Sequence, residues 1–346
     1  MTIVAVGGTL PTLIDMAKTH GQFGNVLPIV NTMKKAAPLA GRMYWEQSNL
    51  PNGQLTVRVT GRPTAAVRRV NQAVAPSKAT HAQVTEALTE FADFAKVDPS
   101  ALNGFGSPMQ ERARLIAQHP EVLMELLEDT LISGASGDGS GEFDGFYSRP
   151  ELSALGDQCL GAGGSGGGSV YASILLLYPG PNTCKIVYPS NTLAGVKHID
   201  LGLSMSPGAT GADGSELPMW KDWFAIHAGL SIPDPTSVVR CANIVTNDVK
   251  GVTGTQEKTD YTTNIIYRMS EMMDRVPERI KSSGISPLWV MPRSVKSGLN
   301  IQVLAHTFSN VYQPAQLTGA TQSPESMYGI QMVISDLMGY TEAQVS

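Results

Sequence analysis

From residue 43 the chain alternates apolar and polar positions in a way that specifies extended backbone. Met43-Tyr44-Trp45-Glu46 precedes Asn52-Gly53, and Leu55-Thr56-Val57-Arg58-Val59-Thr60 follows in strict alternation. Successive side chains of a strand point to opposite faces, so a period of two marks a half-exposed strand. Asn-Gly between two such runs is a strong hairpin signal. The hairpin should close after Gly61-Arg62-Pro63 and lead back into the body through residues 67–71. Residues 1–42 carry little periodic apolar pattern and read as an irregular arm with short helices near 13–18 and 26–35.

Beyond the hairpin the period lengthens. Thr80 with Gln83 matches a capping box, in which two side chains satisfy orphan amides at a helix start, and Val84, Leu88, Phe91 and Phe94 follow. A helix is expected there, ending at the breaker Asp98-Pro99. Ser107-Pro108-Met109-Gln110 opens a second helix, whose apolar set Leu115, Ile116, Val122, Leu123, Leu126, Leu127 and Leu131 runs to Gly134. Its span, about 107–133, makes a rod of roughly 40 Å at ~1.5 Å per residue. Pro120 should kink or split it, because proline lacks the amide for an internal hydrogen bond.

Residues 134–169 are rich in glycine and serine and read as loops. Strands are expected at 170–178 and 185–188 around Pro179-Gly180-Pro181-Asn182, and at 223–230 and 238–245 around Pro233-Asp234-Pro235, each pair as a hairpin. Ile265, Met269, Met272, Met273, Val276 and Ile280 stand at helical spacing, with a stop near Gly284 and a strand at 288–291. The methionines could line a plastic binding groove, but this spacing points to a core face. Strands and helices come in runs, not in alternation, which is an α+β pattern.

Composition narrows what such a chain can do. At 346 residues it can bury roughly 75% of its extended-chain surface and needs no staple. A hydrophobic share of 42% with only 16% charged residues describes an ordered protein whose surface is loop-rich or covered by other subunits. The net charge of −5 argues against a protein whose task is gripping phosphate, which needs a basic face. Cys159, Cys184 and Cys241 fit neither a disulfide framework nor a zinc site and point to synthesis in reducing cytoplasm. No basic-then-apolar leader opens the sequence and no run approaches ~18 apolar residues, so neither secretion nor membrane insertion is expected.

Residues that could carry chemistry do not assemble into a motif. The run from Gly161 to Gly168 invites a phosphate-loop reading, since glycines let amides approach phosphate; that fingerprint needs a following helix, and the following VYASILLLY is strand-like. Asp138, Ser140, Glu142 and Asp144 alternate like calcium ligands, but Phe143 stands where the loop needs glycine and Arg149 where it needs glutamate. His20, His81, His119, His198, His227 and His306 lie far apart, and no serine sits on a strand-to-helix elbow. No catalytic residue, metal or cofactor is expected. Arg58, Arg62, Arg68 and Arg69 on the hairpin differ: a two-stranded ribbon is marginal alone, so its arginines are expected to lie on a neighbouring subunit, the alternative being a sheet edge of the same chain.

In its order of arm, hairpin, rod helix and strand-rich region, the chain resembles the major capsid proteins of tailed double-stranded DNA phages with the Hong Kong 97-like coat fold, most of all the short-tailed branch. The stretches that carry the likeness are Leu13-Ile14-Asp15-Met16, Val26-Leu27-Pro28-Ile29, the hairpin 55–69 with Asn71-Gln72-Ala73, and Phe143-Asp144-Gly145-Phe146. Gly168-Ser169-Val170-Tyr171, Ile186-Val187-Tyr188-Pro189, Val239-Arg240-Cys241-Ala242-Asn243-Ile244 and Gly329-Ile330-Gln331-Met332 continue it. An aromatic residue near Val67 and a long charged leader are missing.

The resemblance implies an N-terminal arm (1–42), an extended loop (43–72), a peripheral domain (73–189) with a spine helix, an axial domain (190–315) and a C-terminal return (316–346). It implies a structural, non-enzymatic protein of the virion, assembled in bacterial cytoplasm. Copies form pentamers and hexamers of an icosahedral shell around double-stranded DNA, without sequence-specific binding. A separate scaffolding protein, a portal at one vertex and a decoration or cement protein are the implied partners, and removal of a propeptide is not expected. Some relatives weld the shell through a loop lysine and a neighbour's asparagine; here no lysine lies between Lys35 and Lys78. The rival readings are a hydrolase or nucleotide-binding enzyme using the glycine-rich loops, and a tail or baseplate protein.

Overall fold

A computed structural model of the chain describes residues 38–102, 107–139, 141–163, 171–190, 192, 194–207, 216–245, 265–306, 312–313, 317–318, 321–322, 326–339 and 342–346. The helices expected near 13–18 and 26–35 lie outside them. The first half carries β1 (Trp45–Gln47), β2 (Gly53–Gly61), β3 (Thr80–Ala87), β4 (Thr89–Val97), α1 (Pro99–Leu102), α2 (Pro108–Ile116), α3 (His119–Ser133) and α4 (Pro150–Ser153). Then come β5 (Cys159–Gly161), β6 (Tyr171–Leu177), β7 (Lys185–Tyr188), β8 (Lys197–Pro207), β9 (Glu216–Ser231) and β10 (Val238–Val245). The last part holds α5 (Ile265–Arg275), α6 (Glu278–Lys281), β11 (Leu288–Met291), α7 (Arg293–His306), β12 (Tyr312–Gln313), β13 (Leu317–Thr318), β14 (Thr321–Gln322), β15 (Ser326–Met327) and β16 (Ile330–Ile334). Two compact units result, one containing Glu90–Leu126 and Ala194–His227, the other Lys35–Thr89, Leu127–Leu193 and Ala228–Ser346.

The larger unit is built on a seven-stranded sheet in the order β12-β15-β16-β11-β6-β10-β5. All seven residues of β6 are buried, because a strand flanked on both edges and covered on both faces reads as an apolar run, without alternation. It pairs antiparallel with β10 (Cys241↔Ile174) and β11 (Val290↔Leu175), while β11 runs parallel to β16. Ile265, Ile266, Met269 and Met272 of α5, Ile280 of α6, and Val295 and Leu299 of α7 share one core with this sheet. The methionine stripe is therefore core, each buried side chain contributing about 1.5–3 kcal/mol.

Local order in the sequence misplaces several pairings. The segment read as a helix from Thr80 to Asp98 is β3 followed by β4. Positions four apart face the same way in a strand as well as in a helix, so Val84 and Leu88 did not distinguish the two periods. The deciding contacts are distant: β3 pairs with β2 over its length, from Gly53↔Ala87 to Val59↔His81. The two proline-bounded hairpins do not form either. β7 pairs with β1 (Trp45↔Ile186) and with β9 (Ile186↔Leu230), and β10 pairs with β6 and β5. Prolines flanking those turns remove the amides that would start a tight ladder.

The rod is split as Pro120 requires: α2 ends at Ile116 and α3 starts at His119, placing Pro120 in the first turn, where a missing amide is harmless. Behind the end of α3, a Cβ on Gly134 would stand 2.6 Å from the Thr130 carbonyl oxygen, and one on Gly145 would stand 2.5 Å from it, so the 143–146 loop can pack there only without side chains at those two positions. Phe143 and Phe146 fill the space beside them and are buried.

In the smaller unit β8 runs antiparallel to the first part of β9, from Lys197↔Ala225 to Pro207↔Glu216, with a bulge between Asp200 and Gly202. Arg112 of α2 is buried, forks onto Asp222 at 2.8 Å, reaches Asp200 at 2.7 Å, and lies 4.6 Å from the centre of the Trp220 ring. Such a bidentate, stacked guanidinium fixes a helix to a hairpin by geometry as well as charge.

Candidate functional site

The β2–β3 ribbon carries the arginines singled out from the sequence. Residues 62–78, which join its strands, are exposed throughout, and a ribbon of two strands has no core of its own. Val57 and Val59 are more than half exposed, and Val67 and Val70 almost wholly so, at 95% and 93%. Between Glu46 and Glu86 the sequence has no acidic residue, but it has Arg58, Arg62, Arg68, Arg69 and Lys78. The outer ribbon is thus a basic, apolar finger on an acidic protein.

Its root is held by a buried charge cluster. Glu86 of β3 accepts from Arg149 Nη1 at 2.8 Å and from the Ile232 amide at 3.2 Å. Arg58 donates through Nε to the Pro233 carbonyl at 3.2 Å, and its other nitrogens stand 3.9 Å from Glu86 and 3.5 Å from Glu151. Arg149 also donates to the Leu230 carbonyl at 2.7 Å. Arg58, Arg149 and Glu151, with Leu152, Ile232, Pro235 and Val238, line a cavity of about 10 Å³, near the smallest that holds a water.

The structure therefore separates the four arginines. Arg58 is half-buried and engaged with its own chain. Arg62, Arg68 and Arg69 are exposed; Arg68 donates to the Gln72 carbonyl at 2.9 Å across a turn in which Asn71 takes a left-handed φ of +66°. Glu86 and Glu151 went unnoticed in the sequence, and Arg149 entered only as a misfit to a calcium loop, because a contact spanning 63 residues leaves no local pattern.

The other candidates stay apart. Gly161 ends β5, and residues 164–170 of the glycine run lie outside the described ones. Asp144 accepts from the Ser136 amide at 2.8 Å and so ties its own loop; Ser140 lies outside the described residues. His119 meets Asp93 at 2.5 Å and His198 meets Asp222 at 2.8 Å, and both rings stack on Phe224. Among the described residues no three His, Cys, Asp or Glu side chains are placed to hold a metal. All three cysteines are buried free thiols, and burial pushes Cys241 up to about 12 and Cys184 higher still. Protonated, buried thiols are poor nucleophiles.

Residues 21–346 match the family described as "Major capsid protein GP7". No curated protein matches the sequence. Among solved structures, the capsid of bacteriophage Epsilon15 has a TM-score of 0.71 at 18% identity, with 99% of each chain covered. The capsid of bacteriophage JBD30 has a TM-score of 0.43 at 13% identity, over 95% of this chain and 99% of that one.

Proposed function

Because the chain belongs to the major capsid protein GP7 family, whose members build the virion shell and are not enzymes, we propose that its copies are joined through the β2–β3 ribbon. The observation that carries this reading is the ribbon itself: an exposed finger with guanidinium groups and nearly bare valines, anchored at its root and without a core. In isolation such a surface is a liability; against a second copy it supplies buried apolar area and forks that suit carboxylates. Arg62, Arg68 and Arg69 face acidic groups of the neighbouring subunit, while Arg58 sets the angle of the finger from within its own chain.

On this reading the ribbon extends the expected loop as far as Ala87, α3 is the spine of the peripheral domain, and the seven-stranded sheet with α5 and α7 forms an axial domain that takes in β5 and β6 before the expected 190–315 and β15 and β16 after it. Copies close into pentamers and hexamers of an icosahedral shell around double-stranded DNA, guided by a separate scaffolding protein, with a portal at one vertex and room for a cement protein. Interfaces of the obligate class bury on the order of 2,000–5,000 Å², which accords with the 16% charged residues.

The test is the double variant Arg68→Glu/Arg69→Glu. Its melting should match the native chain, while sedimentation and electron micrographs should show slower assembly, more sensitive to salt. Native-rate shells from that variant would remove the ribbon from the interface.

A further inference from the structure

Leu39 and Ala40, the point where the described chain enters the larger unit, are held by one carboxylate. Glu128 of α3 has no solvent exposure. Its Oε2 accepts from the Leu39 amide at 2.7 Å and the Ala40 amide at 3.3 Å, and its Oε1 accepts from the Ser335 hydroxyl at 2.5 Å. Leu39 and Ala40 are themselves fully buried, and the indole of Trp45 donates to the Ala40 carbonyl at 2.8 Å. One side chain thus joins three segments remote in sequence: residues 39–40, the spine helix, and the residue that follows β16.

The acceptors are satisfied, yet among the described residues no cation is a partner of this carboxyl. The charged residues on the packed segments lie elsewhere: Arg42 and Asp129 are exposed, and Asp336 meets Arg293 at 2.8 Å. A buried charge with only neutral donors holds them more strongly than a neutral group would, and is itself disfavoured by burial. A buried carboxylate that meets only neutral donors among the described residues is costly for a purely static role.

We propose that Glu128 is a protonation-sensitive anchor that fixes residues 39–40 to the spine helix. Ionised, it is a charge kept from water, and local opening of residues 39–40 relieves that cost by hydrating it. Protonated, it keeps its place without the cost, so residues 39–40 close more tightly while the sheet is unaffected. Burial raises the carboxyl's pKa, which brings this change above the ordinary carboxylate range.

Hydrogen exchange resolved to single amides in the full chain tests the anchor. With intrinsic rates divided out, protection of Leu39 and Ala40 should rise about tenfold as pH drops through a midpoint above 4.5, while Val290 in the sheet keeps its protection unchanged. Glu128→Gln should show the higher value at every pH. Ser335→Ala, which removes a donor from the ionised form but spares both amides, should move the midpoint upward. Flat or falling protection of Leu39 and Ala40 as pH drops in the native chain, or an equal change at Val290, overturns the proposal whether or not the variants fold. An unchanged midpoint in Ser335→Ala overturns it too.

Discussion

Glu86 depends on Arg149 in a way that can be measured. The carboxylate is buried, with one close cationic partner, one amide, and Arg58 at the edge of ion-pair range. Arg149→Ala leaves that charge without its closest partner, and uncovering one half of a buried pair costs about 3 kcal/mol. Denaturant unfolding should register that loss; a change under roughly 0.5 kcal/mol would mean that water replaces the guanidinium. Glu128 acts in the opposite sense on stability. Its folded pKa is raised by burial, so between the ordinary 4.5 and that value the folded chain holds more protons than the unfolded one. Stability at this site therefore grows as pH falls through the window. Unfolding free energies of the native chain should show this slope relative to Glu128→Gln, and parallel curves would deny it. In the sequence Glu86 stands within Val84-Thr85-Glu86-Ala87-Leu88 and Glu128 between Leu127 and Asp129, with no motif at either. Nothing local marks a carboxylate whose partners are 63 and 207 residues away.

The same limit operates among the elements. β6, β11, α5 and the split at Pro120 were legible because their signal lies within the element: an unbroken apolar run, a methionine stripe, a missing amide. The pairings of β3, β7 and β10 were not, because a strand's partner is chosen by long-range burial, and the nearest strand in sequence was the wrong one each time. In the ribbon the register marks where the finger can be cut. Gly61 pairs with Thr80, so residues 62–79 can be replaced by Asn-Gly as a two-residue turn. The shortened chain should fold with native melting and stay unassembled in sedimentation; shells from it would show that the finger is dispensable. By contrast Gly145→Ala, whose Cβ would meet the Thr130 carbonyl oxygen at 2.5 Å, should lower stability by about 1–3 kcal/mol, as overpacking does. The site itself was half legible: the arginines stood out by alternation and charge, but only the fold could assign Arg58 to the root and leave Arg62, Arg68 and Arg69 outside.

At the scale of the whole molecule, the family was readable from the order of elements, and the loop boundary determines which chemistry the shell can use. Taken as residues 43–72, the loop has no lysine. The ribbon reaches Ala87, so Lys78 sits on the exposed segment beside Arg62, Arg68 and Arg69. That places one amine on the finger, and amide formation with a neighbour's asparagine becomes a question of protonation. An ammonium cannot attack, and a free amine arises where burial strips the charge; guanidinium groups stay protonated in any setting. Lys78 is exposed, and no buried base accompanies it among the described residues of the ribbon loop. Non-covalent contacts are then expected to hold the particle together. Boiled and reduced particles should run on a denaturing gel as one band near 36.8 kDa. A ladder of covalent oligomers would mean that assembly buries Lys78 against a neighbour. Lys78→Arg would then collapse the ladder to the single band, whereas a ladder that survives this substitution must use a bond outside the ribbon.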